Sequence, residues 1–399
     1  MAAIPPTPDQ FPQSLYGIHD VEGLHFLQQN HCSGWLVHAV DVWHDAPADY
    51  SALVNAKCRV IVRLNNGYGS AGTIPLPSGY DAFAQQCAQW VAASKGAKIF
   101  IIGNEMNLSA ERPQGQPILP AAYAVCFKKC RAAIQAQPGF ADANLVPGAT
   151  GPYNTETTYP ANPTGDWVKY FQDILVALAD QCDGIAIHTY SRGQQPADIT
   201  NQAKFQPPFQ NNYRGFLAYQ NFMQAIPTSM KNLPVYLTET QPLINDAPNW
   251  LNQNTGWVTA AFAEINRWNS LPGNQAIQAL TMFRWLDTDP HWSFSTKNQV
   301  LDDFRNAIAH NFKLRLPNNV EAGQTLEQAA LAAAQSKPWM PVNNQAALWQ
   351  FAKMHGLQDQ QTDELSLNYN GETYIAQVFN LGIVYVKAGD WGNIQVIPK

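Results

Sequence analysis

Residues 99–107 read IFIIGNEMN. Four apolar residues run into Gly103, and the next two side chains are an amide and a carboxylate, Asn104 and Glu105. An ionised carboxylate is costly to remove from water unless something pairs with it. A hydrophobic strand that ends on one delivers it either to a structural partner or to the mouth of a site, and the rest of the chain must decide between them.

The same design recurs along the first 313 residues. Apolar runs open YGIHD (16–20), GWLVHAV (34–40), RVIVRLN (59–65) and KIFIIGNE (98–105). They continue through ANLVPGAT (143–150), DGIAIHTY (183–190), PVYLTET (234–240) and ALTMFRWL (279–286). Most are near-continuous rather than alternating, the mark of strands buried on both faces of a parallel sheet. Between them lie segments with apolar residues at helical spacing, among them 80–95, 120–137, 166–182 and 256–268. Eight strands, each followed by helical sequence, within about 300 residues match the (β/α)8 count. The doubly wound alternative lacks its G-x-G-x-x-G turn, since YGIHDVEG offers none. The expected fold is therefore α/β, a (β/α)8 TIM barrel over residues 14–316, after a Pro-rich lead-in at 1–13. A linker and helix are expected over 317–340, with Asn343 or Asn344 capping the next helix. Residues 341–399 alternate like antiparallel strands, with Asn370-Gly371 as a hairpin turn, and read as a small C-terminal α+β accessory domain.

Composition narrows the partners. Of 399 residues 46% are hydrophobic and only 14% charged, with a formal charge of −6. No basic field exists to hold a phosphate backbone, so nucleic acid is not expected. No apolar run reaches the roughly 20 residues that span a bilayer. The start, MAAIPPTPDQFPQS, has neither the basic nor the apolar region of a signal peptide. The six cysteines form no Cys-x-x-Cys pair or zinc pattern and read as buried free thiols.

In a barrel the C-terminal ends of the strands converge on one mouth. Those ends carry His19 and Asp20, His38 and Asp41, Arg63 and Asn65, Asn104 and Glu105, His188 and Tyr190, Glu239, and Arg284, Trp285 and Asp287. Strands four and seven lie on opposite sides of an eight-membered ring, so Glu105 and Glu239 would face each other. Two carboxylates about 5–5.5 Å apart suit retaining glycoside hydrolysis, one as acid and base, the other as nucleophile.

On these residues the chain resembles the clan A glycoside hydrolases, retaining (β/α)8 enzymes with cellulase-like members. The likeness covers roughly residues 14–313. It rests on Asn104-Glu105 in GNEMN, His188 and Tyr190 in IHTY, Glu239 in VYLTETQP and Trp285 in MFRWLD, in that order along the chain. The resemblance implies Glu105 as acid/base, Glu239 as nucleophile and Asn104 as partner of the sugar 2-hydroxyl. It implies Tyr190 and Arg63 as groups that keep the nucleophile ionised, and Trp285 as floor of the sugar site. Asn65 and His19 join them as candidate substrate-binding residues. Met106 departs from the pattern, because many relatives have Pro after the acid. The implied activity is hydrolysis of β-glycosidic bonds in an oligo- or polysaccharide, with no cofactor and no metal, and such enzymes are expected to be secreted or at the cell surface, with a cytoplasmic location still open.

Three other readings stay in view. The cleft could bind sugar without cleaving it. His19, His38 and His188 could gather a metal. Glu111 or Glu156 could replace Glu239, at a wider spacing that favours inversion. Trp43, Tyr68, Tyr153, Tyr159, Trp250 and Trp292 fall in or near βα loops and are candidate sugar platforms. The tail, through its T-D-E, Gln-Val-Phe and Gly-Ile-Val-Tyr runs, looks like modules appended to polysaccharide or cell-wall enzymes, which implies either a wall-binding accessory or a packing cap.

Overall fold

A computed structural model describes residues 14–271, 273–313, 343 and 345–398. They divide into two compact units, one within residues 1–265 and 275–314, the other within residues 266–274 and 315–399. The expected lead-in and the expected helix at 325–337 lie outside the described residues.

The first unit is an α/β barrel. Its strands are β1 (Tyr16–His19), β2 (Trp35–Asp41), β3 (Arg59–Asn65), β4 (Ile99–Ile102), β5 (Asn144–Pro147), β6 (Ile185–His188), β7 (Val235–Thr240) and β8 (Ile277–Met282). Neighbours pair in parallel in the order β5-β4-β3-β2-β1-β8-β7-β6. The ring closes between β5 and β6 without a ladder. There Asp183 N–H donates to Leu145 O at 2.8 Å, and the Asp183 carboxylate accepts from Leu145 N–H at 3.0 Å. The main connecting helices include α1 (Leu24–Gln29), α2 (Ser51–Asn55), α3 (Tyr80–Ala93), α4 (Pro120–Gln135), α5 (Trp167–Leu178), α6 (Ala218–Ala225), α7 (Trp257–Ser270) and α8 (Asn298–Ala309). The expected helical segments at 80, 120, 166 and 256 are all present.

Side chains alternate across a strand, so every second residue faces the barrel axis. Val37, Ile61, Ile101, Val146, Ala186, Tyr236 and Ala279 fill the interior with almost no exposure. Continuing the same parity toward the C-terminal mouth brings up Arg63 and Asn65 on β3 and His188 and Tyr190 on and after β6. Thus the packing that closes the core also aims the polar groups. Strand β4 stops earlier than its apolar run suggests: it ends at Ile102, because Gly103 (φ 73°) and Glu105 (φ 39°) leave the extended region.

The second unit carries helix α9 (Ala347–Met354) and an antiparallel sheet of β9 (Leu365–Tyr369), β10 (Glu372–Phe379), β11 (Gly382–Lys387) and β12 (Gln395–Pro398). Asn370 and Gly371 both take positive φ in the two-residue turn between β9 and β10, the geometry that Asn-Gly favours. Leu348 and Ala352 of α9 pack with Phe379, Val384 and Val386 of the sheet. Asn343 does not cap α9. The N-cap is Ala346, whose backbone N–H bonds back to Asn343 O, while the Asn343 side chain accepts from Gln345 N–H. Asn344 lies outside the described residues.

Candidate active site

Glu105 and Glu239 meet at the mouth. Donor atoms of Glu105, His188 and Glu239 all lie within 4.8 Å of one another, so an oxygen of each carboxylate comes within that distance. Both acids reach this position through local irregularity. Glu105 sits in the left-handed region, which a non-glycine residue adopts only when its surroundings hold it there. Its N–H donates to Ala149 O at 2.9 Å, its carbonyl accepts from Leu108 N–H at 2.8 Å, and Gly151 lets the backbone pass beside its carboxyl group. In β7, Leu237 pairs with Ile187 but Glu239 pairs with His188, so Thr238 is an extra residue. The β8 side shows the same step, from Leu237–Leu280 to Thr240–Met282. With Tyr236 facing the core, a regular strand would turn Glu239 outward; the bulge re-aims it inward.

Glu239 is held as an anion. Arg63 donates to Glu239 Oε1, and the Tyr190 hydroxyl donates to Oε2 at 2.9 Å. His188 Nδ1 stands 3.8 Å from Oε2 and His19 Nε2 4.0 Å from Oε1. Burial alone would raise this carboxyl's pKa, but His188, Arg63 and His19 together bring it down to about 2. Of these Arg63 is charged at every pH, whereas burial drives the His19 ring toward its neutral form.

Glu105 has a different environment. His188 Nδ1 lies 2.8 Å from its Oε1, the Tyr190 hydroxyl is 3.5 Å from the same atom, and His188 Nε2 lies 3.1 Å from Thr238 Oγ1. Asn104 links Arg63 to Glu111. Arg63 donates to its Oδ1 at 2.9 Å, which leaves the amide nitrogen as a donor facing Glu111 Oε1 at 3.4 Å. Thr73 receives the Asn104 N–H and donates to Asn65 Oδ1 at 3.2 Å, so Asn65 supports the site through Thr73. Burial and the charges of Glu105 and Glu239 push the Glu111 carboxyl up to about 7, against the opposing pull of Arg63. His19 is oriented by Asp20, whose Oδ1 lies 2.9 Å from Nδ1 and which takes two bonds from Arg284, at 2.8 and 3.0 Å.

Two expectations are corrected. Trp285 does not floor the site: its ring packs on His25, Phe26 and Phe294. The aromatic that β8 delivers is Phe283, edge-on to His19 with ring centres 4.7 Å apart. His38 takes no part in a three-histidine metal site. Strand parity turns it away from the axis, and its Nδ1 lies 2.7 Å from the Tyr50 hydroxyl. The donor trio that does converge is Glu105, His188 and Glu239, a set transition metals accept. Here the Arg63 guanidinium already occupies Glu239 and opposes a second cation beside it. Glu156 also lies apart, bonded to Ser109 N–H. Thr73, Thr238 and Phe283 carry no cue in the sequence. A loop threonine and an apolar aromatic carry no chemical signature, and the bulge depends on register against two neighbours.

The chain is thus a nearly closed (β/α)8 barrel whose mouth holds two carboxylates in unequal surroundings. No family model matches it, and no curated protein matches it. Among solved structures it is similar to a family 44 xyloglucanase from Paenibacillus polymyxa, at 11% identity and TM-score 0.48 over 77% of each chain. It is also similar to GH5_18 from Streptomyces cattleya, at 12% and 0.48 over 77% of this chain and 83% of that one. A third likeness is to a GH128 (subgroup II) endo-β-1,3-glucanase from Sorangium cellulosum, at 17% and 0.41 over 70% and 90%.

Proposed function

We propose that the protein is a retaining glycoside hydrolase that cleaves β-glycosidic bonds of an oligo- or polysaccharide. The observation that carries this reading is the approach of Glu105 and Glu239 within 4.8 Å, one of them fixed as an anion by Arg63 and Tyr190. That separation leaves no room for a water between the second carboxylate and the anomeric carbon, as inversion would need, and suits direct attack. Glu239 attacks the anomeric carbon while Glu105 gives its proton to the departing oxygen. With Oε1 of Glu105 taken by His188, the other oxygen faces the leaving group. Water then attacks the glycosyl ester of Glu239, and Glu105 takes the proton from that water. Asn104 presents its amide N–H to the sugar hydroxyl next to the reacting carbon, and that bond strengthens as positive charge builds on the ring.

The test is covalent. An activated 2-deoxy-2-fluoro glycoside should add one sugar mass to the protein, on the peptide that contains Glu239. Glu239→Ala should lose about 10⁴-fold or more in turnover while retaining the fold, and azide should restore activity. Full activity in Glu239→Ala, or an absence of label across a panel of such glycosides with full binding of the intact sugars, would replace hydrolysis by silent carbohydrate binding.

A further inference from the structure

The mouth has one edge that the chemistry above does not use. Of the aromatic residues in or near the βα loops, Trp250 is buried, Trp292 packs on Phe283, the Tyr153 hydroxyl bonds Tyr190 O and Gly215 O, and Tyr159 bonds Asp173. Trp43 and Tyr68 alone among these stand out into solvent, at 45% and 58% exposure. They follow adjacent strands in register, Trp43 two residues past Asp41 of β2 and Tyr68 three past Asn65 of β3, with Asp41 and Asn65 paired.

Trp43 is fixed although it is not buried. Its N–H donates to Asp41 Oδ1 and its indole N–H to Asn66 Oδ1, both at 2.9 Å, and the Asn66 amide is anchored on Ala71 O at 2.8 Å. An exposed indole held at both ends has lost its conformational freedom before any partner arrives, which is what preorganised binding requires. The edge is continuous with the carboxylates. Thr73, at the end of the Tyr68 loop, bonds Asn104 and Glu111, and Asn104 in turn bonds Arg63. Asn65 stands two residues, roughly 7 Å, beyond Arg63 along β3, so Tyr68 lies at the reach of the next sugars and not of the one being cleaved. Trp43 also lines a cavity of about 370 Å³ together with Gln86 and Gln89, where the Gln86 amide N–H donates to Val42 O at 2.6 Å. Residues 66–79, which carry Tyr68, hold no charge, and Asp49 after β2 is paired with Lys95 at 3.6 Å, so among the described residues the edge presents no free cation cluster to an anionic chain.

We propose that Trp43 and Tyr68 form a stacking rim that holds the further units of an uncharged β-linked polysaccharide chain, so that the protein grips a polymer along the β2–β3 side of the mouth. Sugar rings present C–H faces that pack on aromatic planes, and an edge whose Tyr68 loop is uncharged offers no cation to hold a uronate chain. The inference rests on the carbohydrate reading of the site above.

The experiment is calorimetric titration of the Glu239→Gln protein with cello-, laminari-, xylo- and manno-oligosaccharides from disaccharide to hexasaccharide. Affinity for at least one series should climb with chain length. Trp43→Ala and Tyr68→Ala should each weaken binding of the hexasaccharide by roughly five- to tenfold. The double variant should flatten the climb, and Trp43→Phe should restore most of the loss, with unchanged circular dichroism. A climb that survives in the double variant, or no length-dependent binding in any series, overturns the rim. Glycosyl labelling of Glu239 without length-dependent binding removes the rim and leaves the hydrolase. A rim-dependent climb without labelling keeps the rim and removes the double displacement.

Discussion

At the scale of single residues, Glu111 shows how one carboxyl group reports on the others. Its pKa is raised to about 7, first by burial and then by the charges of Glu105 and Glu239. The folded protein therefore binds this proton more tightly than the unfolded chain, whose carboxyl titrates near 4.3. The associated stability is complete below that pH and is lost as pH rises through about 7. Glu111→Gln should remove the loss, flattening the melting temperature between pH 5 and 8. The variant's stability relative to the parent chain should therefore rise by on the order of 1–3 kcal/mol between pH 4 and pH 8. A melting profile as steep as that of the parent chain would show that Glu111 is not the group responsible. Glu239 obeys the opposite sign: its depressed pKa adds stability above the unfolded value, lost as pH falls toward 2. Sequence made the two acids, Asn104, His188, Tyr190 and Arg63 legible, because each is a polar residue at the end of an apolar run. It misplaced Trp285, because the chain past β8 no longer follows strand parity and an indole suits a core as well as a sugar.

At the scale of elements, the strands and most helices followed from composition and period alone, while the devices that aim the acids did not. The β7 bulge exists only in relation to β6 and β8, and nothing in VYLTET marks Thr238 as the extra residue. The close pass of the segment after β5 is similarly invisible. There a Cβ added to Gly151 would stand 3.2 Å from the Glu105 carboxyl carbon and 2.9 Å from Leu108. Gly151→Ala should therefore push the Glu105 carboxylate off its His188 contact. The expected loss is about 10–100-fold in kcat, for a cost of only about 1–2 kcal/mol in stability. Equal activity in this variant would show that the neighbouring chain yields more easily than its packing suggests.

At the scale of the whole molecule, the six cysteines are all free, and all but the half-buried Cys32 are buried. Burial also pushes the Cys32 thiol up to about 12, so thiolate is scarce even there. A thiol reagent at pH 8 should find at most one slowly reacting group in the native protein and six after denaturation, and reductant should leave the melting temperature unchanged. Rapid native labelling of several thiols would contradict the close packing of α3 and α4 around Cys87, Cys126 and Cys130. The unlaced join between β5 and β6 carries a last implication. Traced along paired strands, β4 and β7 are connected only the long way round; across the join, the Asp183 bonds to Leu145 and Arg131 are joined by the His188–Glu105 bond and the Tyr190 hydroxyl. The reacting groups thus double as a clasp, so amide exchange near Leu145 and Asp183 should slow whenever a sugar is seated and quicken when His188 is replaced.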